Sequence, residues 1–284
     1  MLRLRIITAL VLLAVLLPAL FHSNPAYFCG VTLLLIGAGA WEWGRLNGYG
    51  PKSAVFIGMD CVVLCAASWR LGLLERPLLL LWGIAGAAWV LGSAVLLRRG
   101  VDGWGTISRV VRLVGGLLAL WLAWLAMARA RMIGVNFLLS VMLLVWVADI
   151  AAYFAGRAFG LRFTKTRLAA SISPGKTWEG VWGGMLGALL LALIWIWIDA
   201  QGLSTVPSIY SRAVAQSGWL LPLVVLFLVA MSVVGDLVES LIKRSVGVKD
   251  SSGLLPGHGG VLDRVDALLP ALPLAMMLTV WLPA

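Results

Sequence analysis

Nine apolar runs constrain the fold of this chain more than any other feature of its sequence. Most approach the roughly 20 residues that an α-helix needs to cross the hydrocarbon core of a bilayer. With only 12% charged residues, the chain is also far more apolar than a water-soluble domain. We therefore predict an all-α, polytopic integral membrane protein with about nine transmembrane helices. The predicted spans are Ile6–Leu20, Pro25–Trp43, Ala54–Trp69, Leu78–Leu97, Val110–Ala128, Met132–Gly156, Val181–Ile198, Trp219–Leu241 and Val265–Leu282.

The connections between these runs are short and leave no stretch for a separate soluble domain. We predict a single polytopic membrane domain over residues 1–284, with the N-terminal helices in 1–131 and the polar motifs in 132–284. The first run follows Arg3 and Arg5, as the apolar part of a signal peptide would, but no A-x-A cleavage site follows it cleanly. We expect this run to remain as the first helix.

Basic residues predict the orientation of the helices, because cytoplasmic loops carry an excess of Lys and Arg. When the N-terminus is placed in the cytoplasm, 17 of the 22 Lys and Arg residues fall on that side. The other five are Arg70, Arg76, Arg129, Arg131 and Arg212. We therefore predict a cytoplasmic N-terminus and cytoplasmic loops after the sixth and eighth spans. The net charge of +10 is interpreted as this topology signal together with attraction to anionic lipid, and no nucleic-acid partner is expected.

Several carboxylates lie inside the predicted transmembrane spans. Asp149 is deep in the sixth span, and Asp236 with Glu239 lies near the end of the eighth. A carboxylate at the centre of a bilayer costs several kcal/mol, so such residues normally face a helix bundle, a cation or a water-filled site. We expect functional roles for Asp149 and Asp236, with a structural interhelical hydrogen bond as the alternative. Glu42 and Asp60 each stand alone in a span and give a weaker argument.

The acidic residues continue into a polar segment between the eighth and ninth spans. Asp236, Ser240 and Lys243 are spaced at i, i+4 and i+7, which puts them on one face of a helix. Beyond the segment, Asp263 and Asp266 lie at the start of the ninth span, where a helix N-terminus favours anions. We expect these two acidic faces to converge. Carboxylate oxygens without Cys or paired His favour a hard cation such as Mg²⁺, which is often shared with substrate phosphates.

Cations and glycines fill the segment between the two acidic faces. The cations suited to a polyphosphate are Lys243, Arg244, Lys249 and Arg264. The glycines that let backbone N–H groups approach an anion are Gly257, Gly259 and Gly260. We expect His258 to contact phosphate or position the loop, with acid–base chemistry as the alternative. Acids for a metal beside bases for phosphate are typical of a phosphoryl or nucleotidyl transfer site, and the alternative is a solvated charged loop.

A second polar segment, Arg157–Gly180, is predicted on the same side of the membrane. It contains the tripeptide GKT, but a phosphate-binding P-loop needs glycine six residues before the lysine, where this chain has Ala170. The segment also follows a membrane helix instead of a strand, so we reject the P-loop interpretation. Its excess of cations still fits a second contact with an anion.

In these two segments the chain resembles the phosphatidate cytidylyltransferase family, also called the CDP-diacylglycerol synthases. The preceding G-D-L-x-E-S and the earlier S-P-x-K-T-x-E-G are similar to the family, although Gly175 stands where the family often has Lys. The family's loop pattern is S-x-x-K-R-x4-K-D-x-[GSA]-x5-H-G-G-x-x-D-R-x-D. It is matched by Ser240, Lys243, Arg244, Lys249, Asp250, Ser252, His258, Gly259, Gly260, Asp263, Arg264 and Asp266.

The resemblance implies a Mg²⁺-dependent reaction in which CTP and phosphatidic acid give CDP-diacylglycerol and pyrophosphate. The metal ligands that it implies are Asp236 and Asp263. Candidates for an outer shell or a second cation are Asp149, Asp250 and Asp266. The triphosphate and the lipid head group would be held by Lys243, Arg244, Lys249 and Arg264, with His258 completing the catalytic set. The remaining substrate-binding candidates are Ser173, Lys176, Thr177, Glu179, Ser240, Gly259 and Gly260.

Two other functions remain as alternatives. One is another CTP-dependent membrane nucleotidyltransferase or lipid kinase, and the other is a cation-coupled transporter of anions. Against the transporter, the two halves of the chain show no corresponding broken helices, and the acids concentrate at one face instead of the midplane. We expect a multi-pass protein of the cytoplasmic (inner) membrane with its site on the cytoplasmic face, and we leave a homodimer open.

Overall fold

The computed structural model describes residues 2–282, which are mostly helical and contain very little sheet. Eight of the described helices are long and apolar enough to cross a membrane, and they are α1 to α7 and α9. The predicted all-α polytopic class is confirmed, while the side on which the N-terminus lies stays a prediction. The elements are α1 (Leu2–Phe21), α2 (Ala26–Leu46), α3 (Pro51–Arg70), α4 (Leu79–Gly105), α5 (Arg109–Ile133), α6 (Val135–Phe159), β1 (Arg167–Ala169), β2 (Ser173–Thr177), α7 (Trp178–Ala200), α8 (Ile209–Gln216), α9 (Leu220–Ser245), α10 (Leu262–Val265) and α11 (Leu268–Leu278).

The ninth predicted span, Val265–Leu282, forms a shorter helix than expected. Helix α11 has 11 residues, which rise about 16 Å, roughly half the thickness of the hydrocarbon core. Most of its side chains are buried, and it packs against α4, α5 and α9. The apolar character of this segment therefore reflects burial in the helix bundle, and the number of membrane crossings stays a prediction.

A short helix between α7 and α9 has no counterpart among the predicted spans. Helix α8 begins after Ser208, whose hydroxyl accepts the Ser211 N–H at its N-terminus. Only Ile209, Tyr210 and Ala213 form its buried apolar face, so its sequence contains no long apolar run. Eight residues with this composition resemble a loop when hydropathy alone is considered.

Small residues hold α6 and α7 close together. Gly183 and Gly184 on α7 face alanines on α6, and a Cβ added at Gly184 would lie 2.8 Å from the carbonyl oxygen of Ala148. Glycine and alanine allow this approach of two backbones, which drives helix association in a membrane. The contact fixes the position of Asp149 on α6 relative to the strand β2 that leads directly into α7.

Helix α9 packs against α4, α6, α7, α8 and α11. It touches the C-terminal segment at Gly235, where an added Cβ would lie 2.6 Å from the backbone oxygen of Asp266. The residue after Gly235 is Asp236, so the two segments that carry the predicted acidic faces are in direct contact. The N-terminal helices join the same bundle through the contacts of α4 with α9 and of α5 with α11.

The close approach of α6 and α7 predicts different effects for two matched substitutions. We expect Gly184→Ala to lower the free energy of unfolding by about 1–3 kcal/mol, because its Cβ collides with backbone. At Gly83 on α4 nothing lies within 4 Å of an added Cβ. There Gly83→Ala should leave stability unchanged or raise it by up to about 1 kcal/mol through helix propensity. Thermal unfolding in one detergent measures both, and equal midpoints would contradict the packing argument.

Candidate active site

An ion pair joins the two polar segments of the sequence. The Lys176 ammonium lies 2.7 Å from Oδ2 of Asp236, and these side chains are 26% and 29% exposed. On the other side of the carboxylate, the Ser240 hydroxyl donates to Asp236 Oδ1 over 3.3 Å. Because both partners of the ion pair stay partly exposed, they can still exchange contacts with a ligand that enters from water.

A short hairpin carries Lys176 to this position. Strands β1 and β2 pair antiparallel, with Arg167 opposite Thr177 and Ala169 opposite Ser173. Strand β2 contacts α9. The hairpin therefore places the S-P-x-K-T motif against the helix that carries Asp236. This contact could not be predicted from the sequence.

Lys243 lies between two carboxylates in the interior of the site. Its Nζ atom is 2.5 Å from Glu239 Oε2 and 2.6 Å from Asp263 Oδ1. All three side chains are nearly buried, with exposed fractions of 11%, 8% and 5% respectively. Buried charges are tolerated when they are paired and hydrogen-bonded, so Lys243 is the central link between α9 and the segment that begins α10.

Asp263 holds together the segment that follows α9, residues 246–264, which we call the polar loop. Its Oδ2 atom accepts hydrogen bonds from the backbone N–H groups of Ser251 and Gly260, at 2.9 and 2.7 Å, and from the Ser251 hydroxyl at 3.0 Å. Burial acts to raise the pKa of Asp263, but the hydrogen bonds from Lys243, Gly260 and Ser251 outweigh it and hold the pKa below its usual value. The carboxylate is therefore an ionised anchor for both ends of the loop.

Three aspartates form what we call the acidic cluster, namely Asp149, Asp236 and Asp266. Burial and the negative charge of Asp236 raise the pKa of Asp266 to about 7. Asp149 is exposed on α6 and interacts electrostatically with both Asp236 and Lys176. Because Asp236 repels both Asp149 and Asp266, and Lys176 and Lys243 offset this charge in part, a further cation would be stabilised here.

The remaining charged residues of the loop point towards solvent. The exposed residues are Arg244, Lys249, Asp250 and Arg264. Arg244 donates to the carbonyl oxygen of Val248 at 3.2 Å, which keeps it beside the end of α9. Exposed cations of this kind are suited to contact a polyphosphate.

The His258 region of the loop is a tight turn. The His258 N–H donates to the Leu255 carbonyl, and the Leu255 N–H donates to the Gly259 carbonyl, each over 2.8 Å. Gly257 and Gly259 have φ angles of +78° and +83°, which other residues adopt only with strain. Nδ1 of His258 is buried and has no hydrogen-bond partner within residues 2–282. The turn thus explains the glycines directly, and it leaves the hydrogen-bonding capacity of this ring nitrogen unused among the described residues.

Two of the candidate substrate-binding residues, Thr177 and Glu179, accept hydrogen bonds from backbone N–H groups of nearby residues. The Thr177 hydroxyl accepts the Gly180 N–H at the start of α7, at 3.2 Å. Oε1 of Glu179 accepts the N–H groups of Phe163 and Thr164 at 3.0 and 2.7 Å and the Thr164 hydroxyl at 2.9 Å. These contacts fold the segment ahead of the hairpin, so both residues have a structural role whether or not they touch substrate.

Glu42, for which the sequence indicated a role only weakly, has an extensive set of contacts with the polar loop. It lies on α2, is fully buried, and accepts hydrogen bonds from Ser251, Ser252, Val261 and Leu262 of the polar loop. Its isolation in an apolar span was the available signal, because an unpaired carboxylate there is costly. The partner was hidden because it lies more than 200 positions away along the chain.

The donor atoms suit a hard, oxygen-loving cation. Asp236, Asp263 and Asp266 offer carboxylate oxygens, although Asp263 is already engaged by Lys243 and the loop backbone. Within residues 2–282, no group of three or more His, Cys, Asp or Glu side chains is already arranged around a common metal position. Mg²⁺ typically uses one or two protein carboxylates and completes its shell with waters and substrate phosphates.

These features define a membrane-embedded nucleotidyltransferase, and the comparisons with known proteins agree. The sequence profile of the cytidylyltransferase family matches residues 3–282, and the chain belongs to this family. It is 41% identical to a phosphatidate cytidylyltransferase of Pseudomonas aeruginosa over 96% of this chain and 95% of the relative. It is 36% identical to the protein of the same name from Haemophilus influenzae, over 96% of both chains. A shorter match, 40% identical over 52% of this chain, joins it to a phosphatidate cytidylyltransferase of Staphylococcus epidermidis.

The buried position of Lys243 predicts a large effect on stability. Lys243→Met should lower the free energy of unfolding by about 3–5 kcal/mol, because it leaves the carboxylates of Glu239 and Asp263 facing each other without a cation. The control Lys52→Met removes an exposed charge at the start of α3 and should change stability by less than about 0.5 kcal/mol. Thermal unfolding of the two purified variants tests this, and a Lys243→Met protein as stable as the control would contradict it.

Proposed function

We propose that this protein transfers the cytidylyl group of CTP to phosphatidic acid, giving CDP-diacylglycerol and pyrophosphate. The relatives that cover 96% of the chain carry the name of this activity. The structural observation that supports it best is the contact of Lys176 with Asp236, which unites the cations and carboxylates of two distant motifs at one end of α9. Such a mixture of acids and bases is what a transfer reaction between two phosphates requires.

The reaction needs no nucleophile from the protein. An oxygen of the lipid phosphate attacks the α-phosphorus of CTP, a new P–O bond forms, and the bond to the bridging oxygen of the β-phosphate breaks in line with it. The leaving pyrophosphate takes the electron pair of the broken bond. The exposed cations Arg244, Lys249 and Arg264 would neutralise the phosphates, while the buried Lys243 acts by holding Asp263.

The acidic cluster is the proposed place for Mg²⁺. Asp236 and Asp266 would supply its carboxylate ligands, with Oδ1 of Asp263 as a further donor and Asp149 available for an outer shell or a second cation. When bound, the metal would offset the negative charge of the phosphates. Lys176, which pairs with Asp236 in the structure, is then available to turn towards a substrate phosphate.

An apolar cavity supports a lipid as one of the substrates. Its volume is about 240 Å³, and it is lined by side chains of α1, α2, α5, α6 and α11 together with Leu255, Val261 and Arg264 of the polar loop. Arg264 is the one charged residue among the lining residues described. A hydrocarbon chain fits such a cavity while an anionic head group stays near the guanidinium.

The proposed location is the cytoplasmic membrane of a bacterium, with the site on the cytoplasmic face. The relatives are bacterial, and the chain is a multi-pass membrane protein. Because Lys176 contacts Asp236, the segments that follow α6 and α9 share one side. The excess of Lys and Arg on that side favours the cytoplasm, which is also where a soluble nucleotide is supplied.

Transfer of label from CTP to lipid tests the proposed reaction. The purified protein is incubated with Mg²⁺, a panel of lipid phosphates and CTP labelled either at the α- or at the γ-phosphate. We expect α-label in the lipid phase with phosphatidic acid and γ-label only in aqueous pyrophosphate. Lipid labelled from the γ-position would indicate a kinase, labelling of a different lipid would change the acceptor, and wholly aqueous label would favour the transporter.

Asp236 is a partly exposed carboxylate of the acidic cluster with which to test the metal. We expect Asp236→Asn to lower turnover by at least about 100-fold at low Mg²⁺ and to raise the Mg²⁺ concentration needed for half-maximal activity, because one charged ligand is lost. The control Asp102→Asn removes an exposed carboxylate at the end of α4 and should behave as the wild type. An unchanged Mg²⁺ dependence of Asp236→Asn would remove Asp236 from the metal site.

A further inference from the structure

Glu42 reaches the polar loop from the N-terminal half of the chain. Its Oε1 atom accepts the Ser252 hydroxyl at 2.6 Å and the Val261 N–H at 2.9 Å. Its Oε2 atom accepts the Ser251 hydroxyl at 3.1 Å and the Leu262 N–H at 2.8 Å. One buried carboxylate thus binds the beginning and the end of the loop at the same time.

The contacts at the end of the loop satisfy the start of a helix. Val261 and Leu262 lie at the N-terminus of α10, whose first N–H groups have no partner within the helix. Buried N–H groups without partners are costly, and a carboxylate is the strongest acceptor available to them. Glu42 therefore fixes the direction in which α10 presents Asp263.

Ser251 connects Glu42 to the rest of the site. Its hydroxyl oxygen lies 3.1 Å from Glu42 Oε2 and 3.0 Å from Asp263 Oδ2, so a single hydroxyl hydrogen is placed between the two carboxylates. Asp263 in turn contacts Lys243 at 2.6 Å. A continuous polar chain therefore runs from α2 to α9 through Glu42, Ser251, Asp263 and Lys243.

Gly260 shows how closely the loop is fitted around this chain. A Cβ added at Gly260 would lie 2.1 Å from the Ser251 hydroxyl oxygen and 2.4 Å from Glu42 Oε1. No other residue fits there without moving the Glu42 carboxylate or the loop. The glycine of the H-G-G motif is thus required by a side chain of α2 as well as by any approach of an anion.

We propose that Glu42 is a positioning residue for the transfer reaction: it orients the polar loop so that Asp263, Asp266 and the loop cations meet the substrates in the reactive arrangement. The inference rests on the proposed function. It assigns to α2, which carries none of the motif residues, a direct part in the geometry of the site. Misplacement of reacting groups by about 1 Å can lower a rate by about 100-fold, which is the size of effect expected.

The variant Glu42→Gln gives the sharpest test because it keeps the shape of the side chain. Each oxygen of Glu42 accepts one backbone N–H, so an amide NH₂ must face a donor at one of the two positions. We expect kcat for CTP-dependent lipid labelling to fall about 100-fold, with a change in the KM for CTP of less than about 5-fold. Amide hydrogen exchange of residues 251–262 should be faster than in the wild type.

Ser252→Ala and Asp60→Asn complete the experiment. Ser252→Ala removes one hydroxyl donor to Glu42 and should lower kcat about 3- to 10-fold. In the double variant with Glu42→Gln, the two reductions in kcat should not multiply, because both substitutions break the same contact. Should Glu42→Gln not fold, Ser252→Ala alone carries the test of kcat and exchange. Asp60→Asn removes an exposed carboxylate of α3 and should match the wild type.

Two results would overturn the positioning role. One is a Glu42→Gln enzyme with kcat within about 3-fold of the wild type, and the other is loop exchange that is unchanged while only the thermal midpoint falls. Failure of the proposed function is seen separately, as a wild-type protein that transfers no label. Even then, the exchange of residues 251–262 in Glu42→Gln decides whether Glu42 orders the loop.

Discussion

A charged group inside a helix bundle has to be neutralised and hydrogen-bonded at once, and Lys243 is the point where this protein meets that requirement. Its ammonium group lies between Glu239, one turn earlier on α9, and Asp263, at the start of α10. Each carboxylate would be costly alone in this environment, and the shared cation offsets part of that cost for both. The join between α9 and the C-terminal segment depends on this contact, and so does the position of every loop residue that Asp263 anchors.

Around this contact, the structure separates residues that hold the site from residues that remain free to act. Lys243, Glu239 and Asp263 are nearly buried and paired. By contrast, Lys176 and Asp236 are partly exposed, and Arg244, Lys249 and Arg264 are open to solvent. The first set is suited to fixing a geometry before substrates arrive, and the second to neutralising charge that arrives with them. Such preorganisation is the means by which an enzyme without a nucleophile of its own accelerates phosphoryl chemistry.

The proximity of several candidate site residues could be predicted from sequence because the motifs that carry them are local. The spacing of Asp236, Ser240 and Lys243 along one helix and the dense loop pattern before Asp266 are read within 31 residues, and the all-α membrane class follows from the apolar runs. The different contacts of the individual aspartates could not be predicted in the same way. Asp263 is engaged mainly by Lys243 and the loop backbone, whereas Asp266 is the neighbour of Asp236, and nothing in the one-dimensional pattern distinguishes the two aspartates. Similarly, hydropathy did not distinguish α11, which is apolar because protein surrounds it, from a helix that lipid surrounds.

The sequence by itself determined that the chain is a membrane protein with helical spans and a polar loop that carries the motif of its family, since helix periodicity, hydropathy and motif spacing depend on residues close together in the chain. Only the tertiary structure decided which distant groups meet: Lys176 with Asp236 across 60 positions, and Glu42 with the loop across more than 200. Both encounters accompany close packing, at the glycines of α7 and at the approach of α2 to α10. The first pairs two partly exposed charges, and the second gives the buried Glu42 carboxylate its hydrogen-bond donors. The physical reason is that a partner for a buried carboxylate is selected by distance in space, to which separation along the chain is no guide.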